Sequence, residues 1–342
     1  SFLSKNRSWE HYSRDLQKNT LLTLCSDRIL QDVAFDKYRC ARLVMNCLCS
    51  FDDPSMNRMS VAICSILGNR QKFSTSETSL LGAQPQYMRK LLSIVRSKVQ
   101  SSSVDITIKF TLSALWNLTD ESPTTCSVFL EEGGMDLFLD VLVTFQDECT
   151  VETKVLGLIN NIAEVSQLRP RLMVSGFMTR LRKLLHSVHI DVSYFAAGII
   201  AHLASDGAEM WMTHNTVVTR QQLLQELVEI INNFVNFKTP EGEMVAYRSF
   251  HPFFPLLTCH DAFQVQLWAV WAIQHVCTKN AKRYCPMLVE EGGSLILRHL
   301  HDNAEVDPSV RAICRNILDV LVAERYMKYQ TLRTKLTLKL GN

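Results

Sequence analysis

Apolar residues fill long stretches of this chain with few breakers between them, while strict alternation of apolar and polar positions is scarce, so the pattern predicts helices rather than strands. Within Leu115-Trp116-Asn117-Leu118-Thr119-Asp120-Glu121-Ser122-Pro123 an apolar helix carries an amide and, three residues on, a carboxylate. Ile159-Asn160-Asn161-Ile162-Ala163-Glu164-Val165-Ser166 echoes that order about 44 residues later. Aligned, Trp116 falls over Asn160, Asn117 over Asn161 and Asp120 over Glu164. Residues three and four apart share a helix face. Two such helices, stacked, present two amides, two acids and one indole to a single groove, a set suited to a small cationic group with a peptide attached.

The same phase recurs at Ala201-His202-Leu203-Ala204-Ser205, at Gln274-His275-Val276-Cys277-Thr278, at Cys64-Ser65-Ile66-Leu67-Gly68 and around Asn316-Ile317-Leu318-Asp319. A second marker, Leu130-Glu131-Glu132-Gly133-Gly134-Met135, reappears as Val289-Glu290-Glu291-Gly292-Gly293-Ser294. Its Gly-Gly pair reads as a helix stop and a tight turn. Spacings of about 41 to 44 residues belong to armadillo or HEAT arrays, whose units stack because none can bury its apolar face alone. The expectation is an all-α chain, an armadillo/HEAT-like right-handed α-solenoid. Residues 1–35 read as a polar leader and first helix, and 36–342 as one repeat domain with an insertion at about 212–262. That insertion holds a helix, Gln221 to Val235, an irregular Lys238-Thr239-Pro240-Glu241-Gly242, and a Pro-broken aromatic loop, Ser249 to Pro255, with buried anchors. A Ser- and Gln-rich stretch from Asn69 to Gln100 reads as a polar connection. The basic, helix-prone tail from about Ala323 caps the array or lies loose.

Composition narrows the function. Only 12 Gly and 9 Pro stand in 342 residues, of which 47% are hydrophobic, a balance that favours long helices. A formal charge of +2 and the lack of a basic run with interleaved aromatics leave no footprint for nucleic acid. Eleven cysteines, odd in number and set in apolar helical segments, fit a reduced cytoplasmic or nuclear protein. Cys40, Cys47 and Cys49 lack the paired spacing of a metal site, and His186 and His189 have no further ligand at metal spacing, so no cofactor is expected. No apolar run reaches the roughly 18 to 20 residues of a membrane span. Nucleophile elbow, phosphate loop, zinc-protease and kinase signatures are all missing. A binding role is simpler than catalysis.

The segments Trp116 to Pro123 and Asn160 to Glu164, with the Glu131-Glu132-Gly133-Gly134 turn, resemble the carboxy-terminal armadillo region of the Zyg-eleven and Zer-one substrate receptors of cullin-RING ubiquitin ligases. The resemblance covers essentially the whole chain. It implies a non-catalytic receptor for proteins whose exposed amino terminus begins with glycine or another small residue, an N-degron. The family's pocket residues fall on Trp116, Asn117, Asp120, Asn161 and Glu164. The family's leucine-rich region, and its docking segment for the elongin and cullin assembly, are not recognisable here.

The residue chemistry supports that reading on its own. A free α-amino group, with a pKa near 8, is largely protonated at neutral pH, and two carboxylates can hold its three N–H donors with charge-assisted bonds. Asn117 and Asn161 can donate to and accept from a peptide backbone, and Trp116 walls the first side chain. His202 and Ser205 hold the corresponding positions of the next repeat and extend the groove; Tyr194 and Phe195 pack inside. Blander roles exist: Trp116 as core, mid-helix Asn bonded to the preceding turn, Asp120 as the cap of a helix beginning near Ser122-Pro123. The rival functions are an importin-like groove for internal basic peptides and a scaffold for an acidic partner, which needs a groove lined by Lys and Arg that the groove-phase residues do not supply. The chain's own start, Ser1-Phe2-Leu3-Ser4, has the small-then-apolar form the groove should accept, so two readings of Ser1 stand side by side: a ligand mimic in a neighbouring molecule, or an end lying in solvent.

Overall fold

The computed structural model describes residues 2–25, 33–67, 75–213, 217–234 and 244–340, with the side chains of 2–12, 75, 78, 79, 212, 213 and 326–340 left aside. No strand occurs among the described residues, and none of the described helices is long and apolar enough to cross a membrane. The chain divides into two compact units, Ser1–Arg171 and Leu172–Asn342.

In the first unit α1 spans Phe2–Leu24, α2 Lys37–Ser50, α3 Pro54–Leu67, α4 Thr75–Gly82, α5 Pro85–Gln100, α6 Ile106–Thr119, α7 Pro123–Glu131, α8 Gly134–Thr144 and α9 Cys149–Ala163. The groove-phase segments lie on α3, α6 and α9, and these stack in that order. Their apolar faces close over one another: Ile63, Leu112, Leu115, Val155 and Ile159 are all fully buried. A second layer pairs α5 with α2 and α8. The all-α repeat expectation therefore holds for this unit.

One expectation fails here. The supposed polar connection is helical over 75–82 and 85–100. Between its Gln, Ser and Lys residues, Tyr87, Met88, Leu91, Leu92, Ile94 and Val95 recur at helical spacing and are buried. Pro85 opens that helix, where its missing N–H costs nothing.

The Glu-Glu-Gly-Gly turn works as anticipated, with a division of labour between its glycines. Gly133 adopts a left-handed φ of 76° with open space where a Cβ would stand, whereas a Cβ on Gly134 would meet the Phe129 ring at 2.5 Å and the Phe129 carbonyl oxygen at 2.6 Å. In the second copy Gly292 has a φ of 86° and a Cβ on Gly293 would meet Leu288 Cδ1 at 2.4 Å. The first glycine thus supplies a conformation and the second supplies room. Gly133→Asn, which tolerates the left-handed region, should leave stability nearly unchanged. Gly134→Ala should cost about 1 to 3 kcal/mol through overpacking, read as a lowered urea midpoint.

In the second unit α10 spans Ser175–Leu185, α11 Ile190–Ala204, α12 Gly207–Thr213, α13 Arg220–Asn233, α14 Phe254–Leu257, α15 Phe263–Lys279, α16 Ala281–Glu290, α17 Gly293–Asp302 and α18 Pro308–Leu340. The groove-phase segments lie on α11, α15 and α18, again stacked in sequence. The insertion's expected helix is α13, opened by a reciprocal capping box between Thr219 and Gln222. Its irregular piece, 238–242, lies outside the described residues. The aromatic loop does carry buried anchors, Phe250 and Phe253, but it folds into a 3-10 turn, His251–Phe253, and then α14. The expected basic tail belongs to α18.

Candidate functional site

Three contacts at successive turns lock α6 against α9 and define the face they share. The Lys154 ammonium donates to Ser113 Oγ at 2.6 Å. A Cβ on Gly157 would meet the Trp116 indole at 2.4 Å, so the indole lies directly on the glycine's backbone. Asn161 Nδ2 donates to the Trp116 carbonyl and to Thr119 Oγ1, both at 3.1 Å. Asn117 Nδ2 donates to the Ser65 carbonyl at 3.0 Å, so Asn117 and Asn161 each bind the groove helix of the preceding repeat. This modifies the role expected for the amides. Both amide hydrogens of Asn161 are committed to the helix stack, and what such an amide offers a ligand is its oxygen.

Asp120 follows the last residue of α6, in extended backbone at φ −63° and ψ 120°. It does not cap α7; Ser122 does, accepting from the Thr125 N–H, with Pro123 as first helical residue. Between them Glu121 is held at a φ of 54°, a left-handed conformation that costs a non-glycine residue roughly 1 to 2 kcal/mol. The tight α6–α7 connection therefore keeps the Asp120 carboxylate at the helix end, 8% exposed. On α9, Asn160 Nδ2 donates to Glu164 Oε1 at 2.9 Å, one turn apart.

Both carboxylates act on one neighbour. Cys126, buried in α7 with its thiol 3.5 Å from the Thr119 carbonyl, has its pKa pushed up by burial, then by the Glu164 charge and then by the Asp120 charge. One point in the structure thus feels both acids. On the same two helices lie the Trp116 indole and Asn117, both half-buried, and the buried amides of Asn160 and Asn161.

Three features of this face escaped the sequence reading. Gly157 was legible as an isolated glycine inside an apolar helix, which usually signals close packing. Arg169, 5% exposed, donates from Nε to the Ala163 carbonyl at 2.6 Å. It closes one of the terminal carbonyls that a helix cannot satisfy itself; Arg220 does the same for the α11 end, donating to the Ala204 carbonyl at 2.9 and 2.8 Å. Neither arginine stands at a fixed offset from its helix, so no spacing announced them. Lastly, the groove face is not free of basic residues as expected, because Lys109 and Lys154 extend the same stripe toward the helix starts.

Within the second unit, His202 is 2% exposed and half-buried Ser205 donates to the His202 carbonyl at 2.7 Å. Tyr194 and Phe195 are buried as expected. Tyr194 packs edge-on against Trp268 at 4.7 Å, Trp271 stacks on His275 at 5.5 Å, and the Tyr194 and Tyr247 hydroxyls share a hydrogen bond. Burial, and then the nearby Lys279 charge, bring the His275 pKa down to about 4. His186 meets Glu226 at 3.0 Å rather than His189. Ser1, read as a neighbouring molecule's ligand mimic or as an end in solvent, lies outside the described residues.

Among solved structures, the designed armadillo repeat protein YIII(Dq)4CqI matches 81% of this chain and 98% of its own, with a TM-score of 0.45 and 18% identity. Zyg eleven-related protein 1 of Caenorhabditis elegans is 31% identical over 310 residues, 88% of this chain and 33% of that protein. Human protein zer-1 homolog is 31% identical over 312 residues, 89% of this chain and 39% of that protein. The chain therefore spans about a third to two-fifths of the length of these relatives. The family model described as "Protein zer-1 homolog-like, C-terminal domain" matches residues 6–323, and the chain belongs to that family.

Proposed function

We propose that this chain is the substrate-recognition module of a cullin-RING ubiquitin ligase, without catalysis of its own, and that the shared face of α6 and α9 binds the free amino terminus of proteins beginning with Gly or another small residue. The observation that carries the reading is that Asp120 and Glu164 stand at the ends of two helices locked together through Trp116, Gly157 and Asn161, with both charges acting on the Cys126 thiol. A carboxylate accepts several hydrogen bonds at once, so the bond from Asn160 is compatible with Glu164 also holding an ammonium. Charge-assisted bonds of this kind contribute about 1.5 to 3 kcal/mol each. The indole adds a wall with an electron-rich face, favourable to a cation. Family membership supports the ligase assignment, with the elongin and cullin assembly engaged through parts of the longer relatives that this segment does not match.

A panel of three peptides tests the reading against its rivals: a Gly start with a free amine, the same peptide acetylated, and an internal Lys- and Arg-rich motif. Tight binding of the first alone is expected. Preference for the internal basic motif would assign the face to an importin-like role instead.

A further inference from the structure

The stripe that carries the acids at one end of α6 and α9 carries lysines at the other. Lys109 and Ser113 lie on α6 two turns and one turn before Asn117, and Lys154 lies on α9 two turns before Asn161, all half-buried. Lys154 Nζ is 2.6 Å from Ser113 Oγ, a neutral partner. Among the described residues neither ammonium has a carboxylate partner, although Arg89, Lys90, Lys98, Arg182 and Arg220 each have one. Burial, followed by the Lys109 charge, draws the Lys154 pKa down. Two cations on the packed helices α6 and α9, one of them hydrogen-bonded to a hydroxyl, form a site that an anion would relieve.

We infer that Lys109, Lys154 and Ser113 form an anion subsite that receives an acidic side chain, Asp or Glu, located at the third to fifth residue of the bound peptide. This deepens the proposed function and rests on it. At roughly 1.5 Å of rise per residue, Ser113 stands about 10 Å along the helix from Asp120, and Lys154 about 15 Å from Glu164. An extended peptide advances about 3.3 Å per residue, so a chain tethered at the acids passes the lysines with those residues. The face then reads two charges of opposite sign at a fixed separation, which sets the direction of the bound chain as well as its start.

The test walks a single Glu from the second to the eighth position of an otherwise uncharged Gly-start peptide with an amidated carboxyl end, with binding to the full 342-residue chain measured by fluorescence anisotropy at low and moderate salt. Glu at positions three to five should improve affinity about tenfold over the neutral parent, one charge-assisted bond's worth, and salt should shrink the gain. Lys109→Gln should reduce it while leaving the neutral parent's affinity within about twofold, since no charge faces the lysines in that peptide. Lys154→Met, which also breaks the bond to Ser113, should reduce the gain as well, with its urea midpoint measured alongside. A flat profile along the walk, or a gain that survives in both variants, overturns the subsite and leaves the proposed function standing. A neutral parent that does not bind overturns both.

Discussion

Replacing Asp120 with Asn and Glu164 with Gln together should lower the affinity for a Gly-start peptide at least about 100-fold, the loss expected when two charge-assisted bonds become neutral ones. Each single change should cost about tenfold or more. The substitutions keep shape and hydrogen-bonding capacity, and they spare the architecture. Ser122, not Asp120, caps α7, and the amides that tie α9 to α6 belong to Asn161. The urea midpoint should therefore move little. Unchanged binding would remove both carboxylates from the recognition mechanism, and a collapsed fold in either single variant would mean they serve structure instead.

The second large effect concerns the first residue of the ligand. Gly should bind best, Ser and Ala should be tolerated, and Leu, Phe or an initiator Met should bind at least about tenfold more weakly, because a fixed wall admits a methyl-sized group but overpacks against a branched or aromatic one. What fixes the wall is visible on the α9 side. The indole lies on Gly157, and Asn161 holds the Trp116 carbonyl. Trp116→Ala should weaken Gly-start peptides by removing packing and cation–π attraction, and should narrow the gap between Gly and Leu starts. Gly157→Ala places a Cβ 2.4 Å from an indole carbon, so the ring must shift and the same loss of selectivity should follow without touching Trp116 itself. A positional scan that favours a large first residue would refute this geometry.

What the sequence made legible was whatever repeats. The amide-and-acid order of residues 116–120 recurs at 160–164, and because both copies sit on stacked helices the alignment carries into space as Asn161 bonding to Trp116 and Thr119. The paired glycines were legible for the same reason: left-handed backbone and close helix approach are demands that few other residues meet. What stayed hidden was set by packing between helices. The helices at 75–82 and 85–100 were masked by polar residues on their exposed faces, although the buried set Tyr87 to Val95 has helical spacing. Lys109 and Lys154 required carrying the stripe two turns past the motif. Arg169 and Arg220 close equivalent helix ends from segments of different length, so only coordinates join them.

The central claim is that two carboxylates recognise a protonated amino terminus, and acetylating one peptide tests it most directly. Acetylation removes the positive charge and adds bulk at the same atom. Isothermal titration calorimetry of this chain against a single Gly-start peptide, free and acetylated, should show the acetylated form weaker by at least about 2 kcal/mol, or roughly 30-fold. Equal affinity of the two forms would contradict the account.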